Sequence, residues 1–263
     1  YTGYFSFFPG AKYIFDAVDN WAEHPNYKKF REKLLENYKI IASKSHVIFT
    51  VADTLREVFG KRDDLYWIPN GVDTDHFQKN VEPFFYSFEL HRPLVGYVGV
   101  IQKRVNFSLI KYVAEKHPRM MFVFAGPVWK DAETHLVKNM PNVRFLGFVP
   151  YKNLPGLIQS FDVAIIPHRV DEFTQSMDPL KMYEYLACGK PMVSTPVAGV
   201  NNMGEYVETA VTPEEFSEKI QKALQEESPE RQNTRKEKAR EHSWKNRVQL
   251  MMNLILRNHE NVS

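Results

Sequence analysis

The sequence predicts an α/β protein whose carboxyl-terminal part is a doubly wound parallel sheet, and three observations predict it. The runs Val163-Ala-Ile-Ile-Pro167 and Met192-Val-Ser-Thr195 are apolar without alternation, as in strands covered on both faces. From Leu94 onward, strand-like and helix-like segments take turns. Residues 178–191 spell a helix with defined ends: Asp178 as N-cap, Pro179 at the first helical position, Gly189 as a left-handed C′ residue, and Pro191 to prevent the helix from resuming.

Taken in order, Lys12–Val18 reads as a strand ending at Asp19-Asn20-Trp21, and residues 27–43 as a charged helix. His46–Val51 is a second strand with a short helix to Phe59, and Leu65–Ile68 is a third, closed by the turn Pro69-Asn-Gly-Val-Asp73. Residues 78–93 lack periodicity and contain Pro83 and His91-Arg92-Pro93, so they read as a linker between a unit at 1–77 and one at 94–228. In the second unit, strand Leu94–Val100 is followed by a helix near 106–116, strand 120–125, helix 131–139, strand 143–147, helix 154–160 and strand 163–167. After the helix at 179–188 come strand 192–195 and a short strand near 207–211. Thr212-Pro-Glu-Glu215 is a capping box, and Ser228-Pro229 starts one long final helix over 229–263.

Composition narrows the classes. A chain of 263 residues with 43% hydrophobic and 25% charged residues is an ordinary globular protein. A net charge of +2 argues against nucleic acid as a partner. The single Cys188 excludes an internal disulfide framework and reads as packing. No run of 18 apolar residues suggests a membrane span, and no signal peptide is evident. The opening at Tyr1, already in aromatic-rich sequence, is expected to be part of a longer chain.

Chemistry is most legible at the helix that follows the strand at 163–167. Ligands of open parallel sheets sit at the carboxyl ends of the strands, where helix N-termini point. Lys181 and Glu184 lie three apart on one helical face near that positive end. A phosphate there would meet backbone N–H groups and a lysine, and the carboxylate one turn on could hold a ribose diol. The alternative is a buried amphipathic helix carrying a solvated ion pair.

Several motifs then line up: Ile68-Pro-Asn-Gly-Val-Asp73 with Phe77, Val95-Gly-Tyr-Val-Gly99, Phe124-Ala-Gly-Pro127, Asn142-Val-Arg-Phe-Leu-Gly147, Phe161–Pro167, Tyr183–Pro191 and His242-Ser-Trp244. Together they resemble the nucleotide-sugar-dependent glycosyltransferases of the two-Rossmann-domain GT-B fold. Within that group they resemble the bacterial cell-surface polysaccharide enzymes, including the teichuronic acid type. The likeness runs over roughly residues 12–256.

The resemblance implies a GT-B-like chain with a partial amino-terminal Rossmann-like unit, a donor domain and a final helix crossing back to the first unit. That helix would be anchored by Trp244 and the stripe Val248, Met251 and Ile255. It implies a retaining hexosyl transfer from a UDP- or GDP-sugar to a glycan or lipid-linked acceptor. Gly99 would let a phosphate or sugar approach the backbone, Lys103 and Arg104 would contact the diphosphate, and Phe148, Val149 and Tyr151 would hold the nucleobase. Lys181 would balance the departing charge and Glu184 would bind the ribose. In the family's pair of glutamates, the first position is here Ser176, left to hydrogen-bond phosphate or sugar. Asp19 could face the cleft as a base or simply cap its turn, with Asp16 and His24 as weaker candidates, and His168 could touch the sugar. No cofactor or metal is expected beyond the donor itself. The setting implied is cytoplasmic, with peripheral contact at the inner membrane face through the Lys/Arg clusters of 28–39 and 231–247. Two other readings stand beside transfer: a donor-binding module without transfer, and a sugar-nucleotide 2-epimerase, whose signature carboxylates are not evident.

Overall fold

The computed structural model describes residues 2–8, 10–81 and 92–260, so most of the expected linker at 78–93, His91 included, lies outside the described residues. By internal contacts the chain divides into two units, one of residues 1–70, 171–178 and 244–263, the other of residues 71–170 and 179–243.

In the first unit, β1 (Ile14–Ala17), β2 (Val47–Thr50) and β3 (Leu65–Trp67) form a parallel sheet in the order β1-β2-β3, with α1 (Arg31–Lys44) between the first two strands. The helix expected over 27–43 is divided: Pro25–Phe30 is a 3₁₀ turn and α1 starts at Arg31. Tyr38 and Ile41 are the fully buried positions of α1, packed with Ile48, Leu55, Phe59 and Leu65. The sheet is shielded by apolar side chains on both sides, and β2 is buried along its whole length.

The second unit opens with the short α2 (Thr74–Phe77) and builds on a parallel sheet of six strands. In chain order come β4 (Leu94–Val98), α3 (Phe107–Lys116), β5 (Met121–Ala125), β6 (Val143–Gly147), α4 (Leu154–Ser160), β7 (Val163–Ile166), α5 (Leu180–Ala187), β8 (Met192–Ser194), α6 (Ala198–Asn201), β9 (Glu208–Thr209), α7 (Pro213–Gln225) and α8 (Pro229–Glu241). The sheet order is β6-β5-β4-β7-β8-β9, so the order reverses between β4 and β7. One face is covered by α4, α5, α6 and α8, with Met182, Tyr185, Leu186 and Ala239 in its core. The other is covered by α3 and α7, through Phe107, Ile110, Val113, Phe216 and Ile220.

Local chemistry explains the ends. The capping box that opens α7 is present, with Thr212 accepting from the Glu215 N–H and the Glu215 carboxylate accepting from the Thr212 N–H. Ser228 caps α8 through its hydroxyl oxygen alone, which accepts from the Arg231 N–H. The helix expected over 131–139 is only a 3₁₀ turn at Thr134–Leu136, although Ala132, Leu136, Val137 and Met140 all pack into the core beneath α3. The single final helix is also corrected. α8 ends where the His242 carbonyl accepts from the Val72 N–H at 3.0 Å and Ser243 bridges to Val72, and α9 (Trp244–Glu260) starts anew. Within the first unit, Met251, Leu254 and Ile255 of α9 pack on Val47, Phe49 and Ile68. Val248, expected in that stripe, and Trp244, expected as the anchor, are 53% and 43% exposed.

Candidate active site at the carboxyl edge of the second sheet

The helix α5 starts one residue later than its sequence suggests. Pro179 stands at the N-cap with no side-chain cap. The Asp178 carboxylate accepts instead from the Asn70 backbone N–H at 2.6 Å, inside the first unit. The N-cap of α5 thus contributes no side-chain hydrogen bond to the positive end of the helix dipole. At the other end Gly189 takes φ 73°, as expected for a C′ glycine.

Next to this helix end, β4 stops at Gly99. Its φ of 134° suits glycine alone, and a Cβ there would lie 3.0 Å from Lys181 Cε. Through that gap Lys181, on the α5 face of the sheet, reaches over the end of β4. Its Nζ lies 5.1 Å from the ring centroid of Tyr97, a residue of the opposite core. The same edge is tightened by Gly126, whose φ of 144° sets it so close to the Gly99 carbonyl that a Cβ would fall 2.0 Å from the oxygen. Tyr185 of α5 holds β4 from below, its hydroxyl accepting from the Val98 N–H at 2.8 Å.

The electrostatics of this corner are unusual. Burial, with the nearby Arg104 charge adding to it, pushes the Lys181 ammonium down to about 7, against a smaller opposing pull from Glu184. Burial pushes the Glu184 carboxyl up to about 7, partly offset by Lys181. Both groups sit close to a change of charge at neutral pH, which is common at functional sites. His168, 1% exposed, is held neutral by burial and by the Lys181 and Arg104 charges. A dianion brought alongside would stabilise the ammonium and draw its proton back.

The other expected residues are placed as follows. Arg104 belongs to this corner, and Lys103 is exposed on the same loop. Phe148 is 75% exposed just beyond β6, whereas the Val149 side chain is buried in the core and can offer a ligand only its main chain. Tyr151 is half exposed, but one face of its ring is stacked on His76 at 4.3 Å, and the His76 Nε2 pairs with the Tyr151 carbonyl at 3.0 Å. Ser176 and Asp19 belong to the first unit. The Ser176 hydroxyl is buried and donates to the Phe173 carbonyl at 2.8 Å. The Asp19 carbonyl accepts from the Trp21 N–H. His24 packs between Trp21 and Phe173 and accepts from the Asn26 N–H, a structural post.

Sequence reasoning passed over Tyr97, Tyr185, Gly126 and His76. The glycines around Tyr97 in Gly-Tyr-Val-Gly were a signal for the first, but nothing marked the other side of the sheet as its neighbour. It also passed over Asp73-Thr74-Asp75, an Asp-x-Asp triplet. Asp73 uses its carboxylate to cap α2 through the His76 N–H at 3.0 Å. Among the described residues no group of three His, Cys, Asp or Glu side chains could hold a metal ion.

The family described as "Glycosyl transferases group 1" matches residues 92–226. The chain is 27% identical over 215 residues to TuaH of Bacillus subtilis, named as a teichuronic acid biosynthesis glycosyltransferase, covering 74% of this chain and 54% of that protein. It is 27% identical over 176 residues to the processive diacylglycerol alpha-glucosyltransferase of Acholeplasma laidlawii, covering 62% of this chain and 52% of that protein. The chain thus spans about half the length of these curated relatives. Among solved structures, Anabaena Alr3699/HepE in complex with UDP and glucose superposes with a TM-score of 0.72 at 16% identity, over 95% of this chain and 73% of that one. Sucrose-phosphate synthase of Thermosynechococcus elongatus does so with 0.72 at 18% identity, over 96% and 69%. These likenesses show the fold, GT-B.

Proposed function

The chain belongs to the group 1 glycosyl transferases, and from that premise we propose that it serves the transfer of a sugar from a nucleoside diphosphate sugar to a glycan or lipid-linked acceptor in cell-surface polysaccharide synthesis. The observation that carries this reading is the buried, near-neutral Lys181 beside Gly99 at the uncapped start of α5. When the anomeric carbon loses its nucleotide, negative charge grows on the diphosphate. Lys181, Arg104 and the α5 N-terminus are fixed in advance where that charge develops, which is the efficient form of electrostatic catalysis. Glu184, three residues on, would accept from the ribose hydroxyls, and the exposed ring of Phe148 offers the base a face. The HepE complexes with UDP and UDP-glucose favour a uridine donor.

Retention of anomeric configuration is the outcome the resemblance implies, and Ser176 in place of the first glutamate makes it a point to measure by NMR of the product anomer. No described helix is long and apolar enough to cross a membrane. We place the reaction at the cytoplasmic membrane face by peripheral contact, testable by co-sedimentation with anionic vesicles. A second reading is a module that holds donor without transferring it.

The deciding experiment is a thermal-shift panel of nucleoside diphosphates on the parent, Lys181→Ala and Glu184→Ala. A ligand at one hundred times its Kd stabilises by about 2.7 kcal/mol. Stabilisation by one diphosphate, lost in both variants, supports the donor site. Stabilisation by none overturns it. Binding without transfer to any acceptor favours the second reading.

A further inference from the structure

Lys181 and Arg104 belong to the loops and helix of the site, but both are held by one residue that lies under it. Tyr97 is fully buried in the core beneath α3 and α7. Its ring face lies under the Lys181 ammonium, 5.1 Å from the centroid. Its hydroxyl is within hydrogen-bond reach of the Val100 carbonyl at 3.2 Å and His168 Nε2 at 3.3 Å, and it is hydrogen-bonded to the Arg104 side chain.

We infer that Tyr97 is a positioning residue for donor binding, its ring fixing Lys181 and its hydroxyl fixing Arg104 so that two cations face one diphosphate. The inference rests on the reading of this corner as a nucleoside diphosphate site.

Three physical arguments carry it. A core position below a sheet edge is filled as well by Phe, and a buried hydroxyl is costly unless it is bonded, so a tyrosine here is explained by its partners. Two like charges near each other and out of water repel, and something must hold them in the absence of anion. An aromatic face attracts the ammonium, and a phenolic oxygen accepts from the guanidinium. Burial also keeps the Tyr97 hydroxyl protonated, pushed up to about 12, so it retains a proton for Val100 or His168 while accepting from Arg104. Finally, Gly99 is what exposes the ring to Lys181, since any side chain at that position would stand against Lys181 Cε. Tyr97 itself would touch no substrate; it acts through the two cations. The charged and titratable groups that bear on Lys181 are Arg104, Glu184 and His168.

The test separates ring from hydroxyl. UDP affinity is measured by calorimetry for the parent, Y97F, R104M and Y97F/R104M, and for Y97L, K181M and Y97L/K181M. Y97F is expected to weaken UDP by roughly three- to tenfold, as for loss of one hydrogen bond, and to add little once Arg104 is gone. Y97L is expected to weaken UDP further and to add little once Lys181 is gone. Losses that simply multiply in both double variants would mean that Tyr97 is only packing, and would overturn the inference.

A second measurement needs no nucleotide. The pH midpoint of Lys181 acylation, followed by mass spectrometry, is expected to move down by roughly half to one and a half pH units in Y97L and to stay in place in Y97F. A midpoint in Y97L equal to or above that of the parent would overturn the placement of the ammonium on the ring. Should Y97L not fold, the Y97F/R104M cycle and the Y97F midpoint still decide. A parent that binds no nucleoside diphosphate defeats the donor reading, while the acylation midpoints still judge the ring.

Discussion

Replacing Lys181 by Met should make the protein more stable while it abolishes diphosphate binding. The fold holds the Lys181 ammonium at about 7 against an ordinary 10.5, because the side chain is buried and Arg104 is close. At 1.36 kcal/mol per pH unit that gap sets a ceiling of about 5 kcal/mol on the cost of burying the lysine at or below neutral pH. Local relaxation reduces it, and about 2 kcal/mol is a working figure. In a unit of this size each kcal/mol moves Tm by roughly 2–4 °C, so the gain should be about 4–8 °C. The sign with pH follows from proton binding. Between about 7 and 10.5 the unfolded chain holds the proton that the folded lysine has lost, so the parent gains stability as pH rises through that window. The methionine variant lacks that slope, so its advantage is full at and below pH 7 and fades towards 10.5. Scanning calorimetry of both proteins from pH 6 to 9.5 makes the comparison. It is cleanest at pH 6, where the raised Glu184 carboxyl keeps its proton in both. A variant that melts at or below the parent at pH 6, or an advantage independent of pH, would refute the account of Lys181 as a destabilising group kept for its charge.

Other outcomes follow from the same corner. Glu184 is raised from 4.5 to about 7, so the folded state binds the extra proton and the parent should lose stability as pH rises from 4.5 to 7; Glu184→Gln should flatten that part of the Tm profile. UDP binding should take up protons above pH 7 as Lys181 recovers its charge, so affinity should fall with rising pH. Calorimetry in two buffers of different ionisation enthalpy reads the uptake, and zero uptake at pH 8 would contradict it. Gly126→Ala combines a φ of 144° with a Cβ 2.0 Å from the Gly99 oxygen, so a loss of at least about 3 kcal/mol in urea unfolding is expected. A shift under 1 kcal/mol would show that the two loops separate easily, on the same strain scale.

Much of the second unit was legible because its signals are local. Unbroken apolar strands, the Thr212–Glu215 box, Ser228 and the Gly189 stop each act within a few residues, and each is found in the structure. Where local signals competed with distant partners, the reading slipped. Asp178 is an excellent N-cap by type, but its carboxylate is taken by the Asn70 N–H 108 positions away. The last helix has no internal breaker, yet it ends at His242 because a carbonyl there serves Val72. Val149, expected among the residues that hold the base by stacking or main-chain hydrogen bonds, has its side chain in the core, which leaves its main chain for that role.

The same division holds for the site. Lys181 and Glu184 could be singled out from spacing alone, since three residues of helix put two side chains on one face whatever surrounds them. Their charge states could not, because a pKa is set by burial and by neighbours such as Arg104 that only the folded sheet supplies. Nor could the sequence reveal that Lys181 passes over Gly99 to a tyrosine on the far face. Strand pattern says which side of a sheet a residue takes, and only the tertiary structure decides which residues meet across its end.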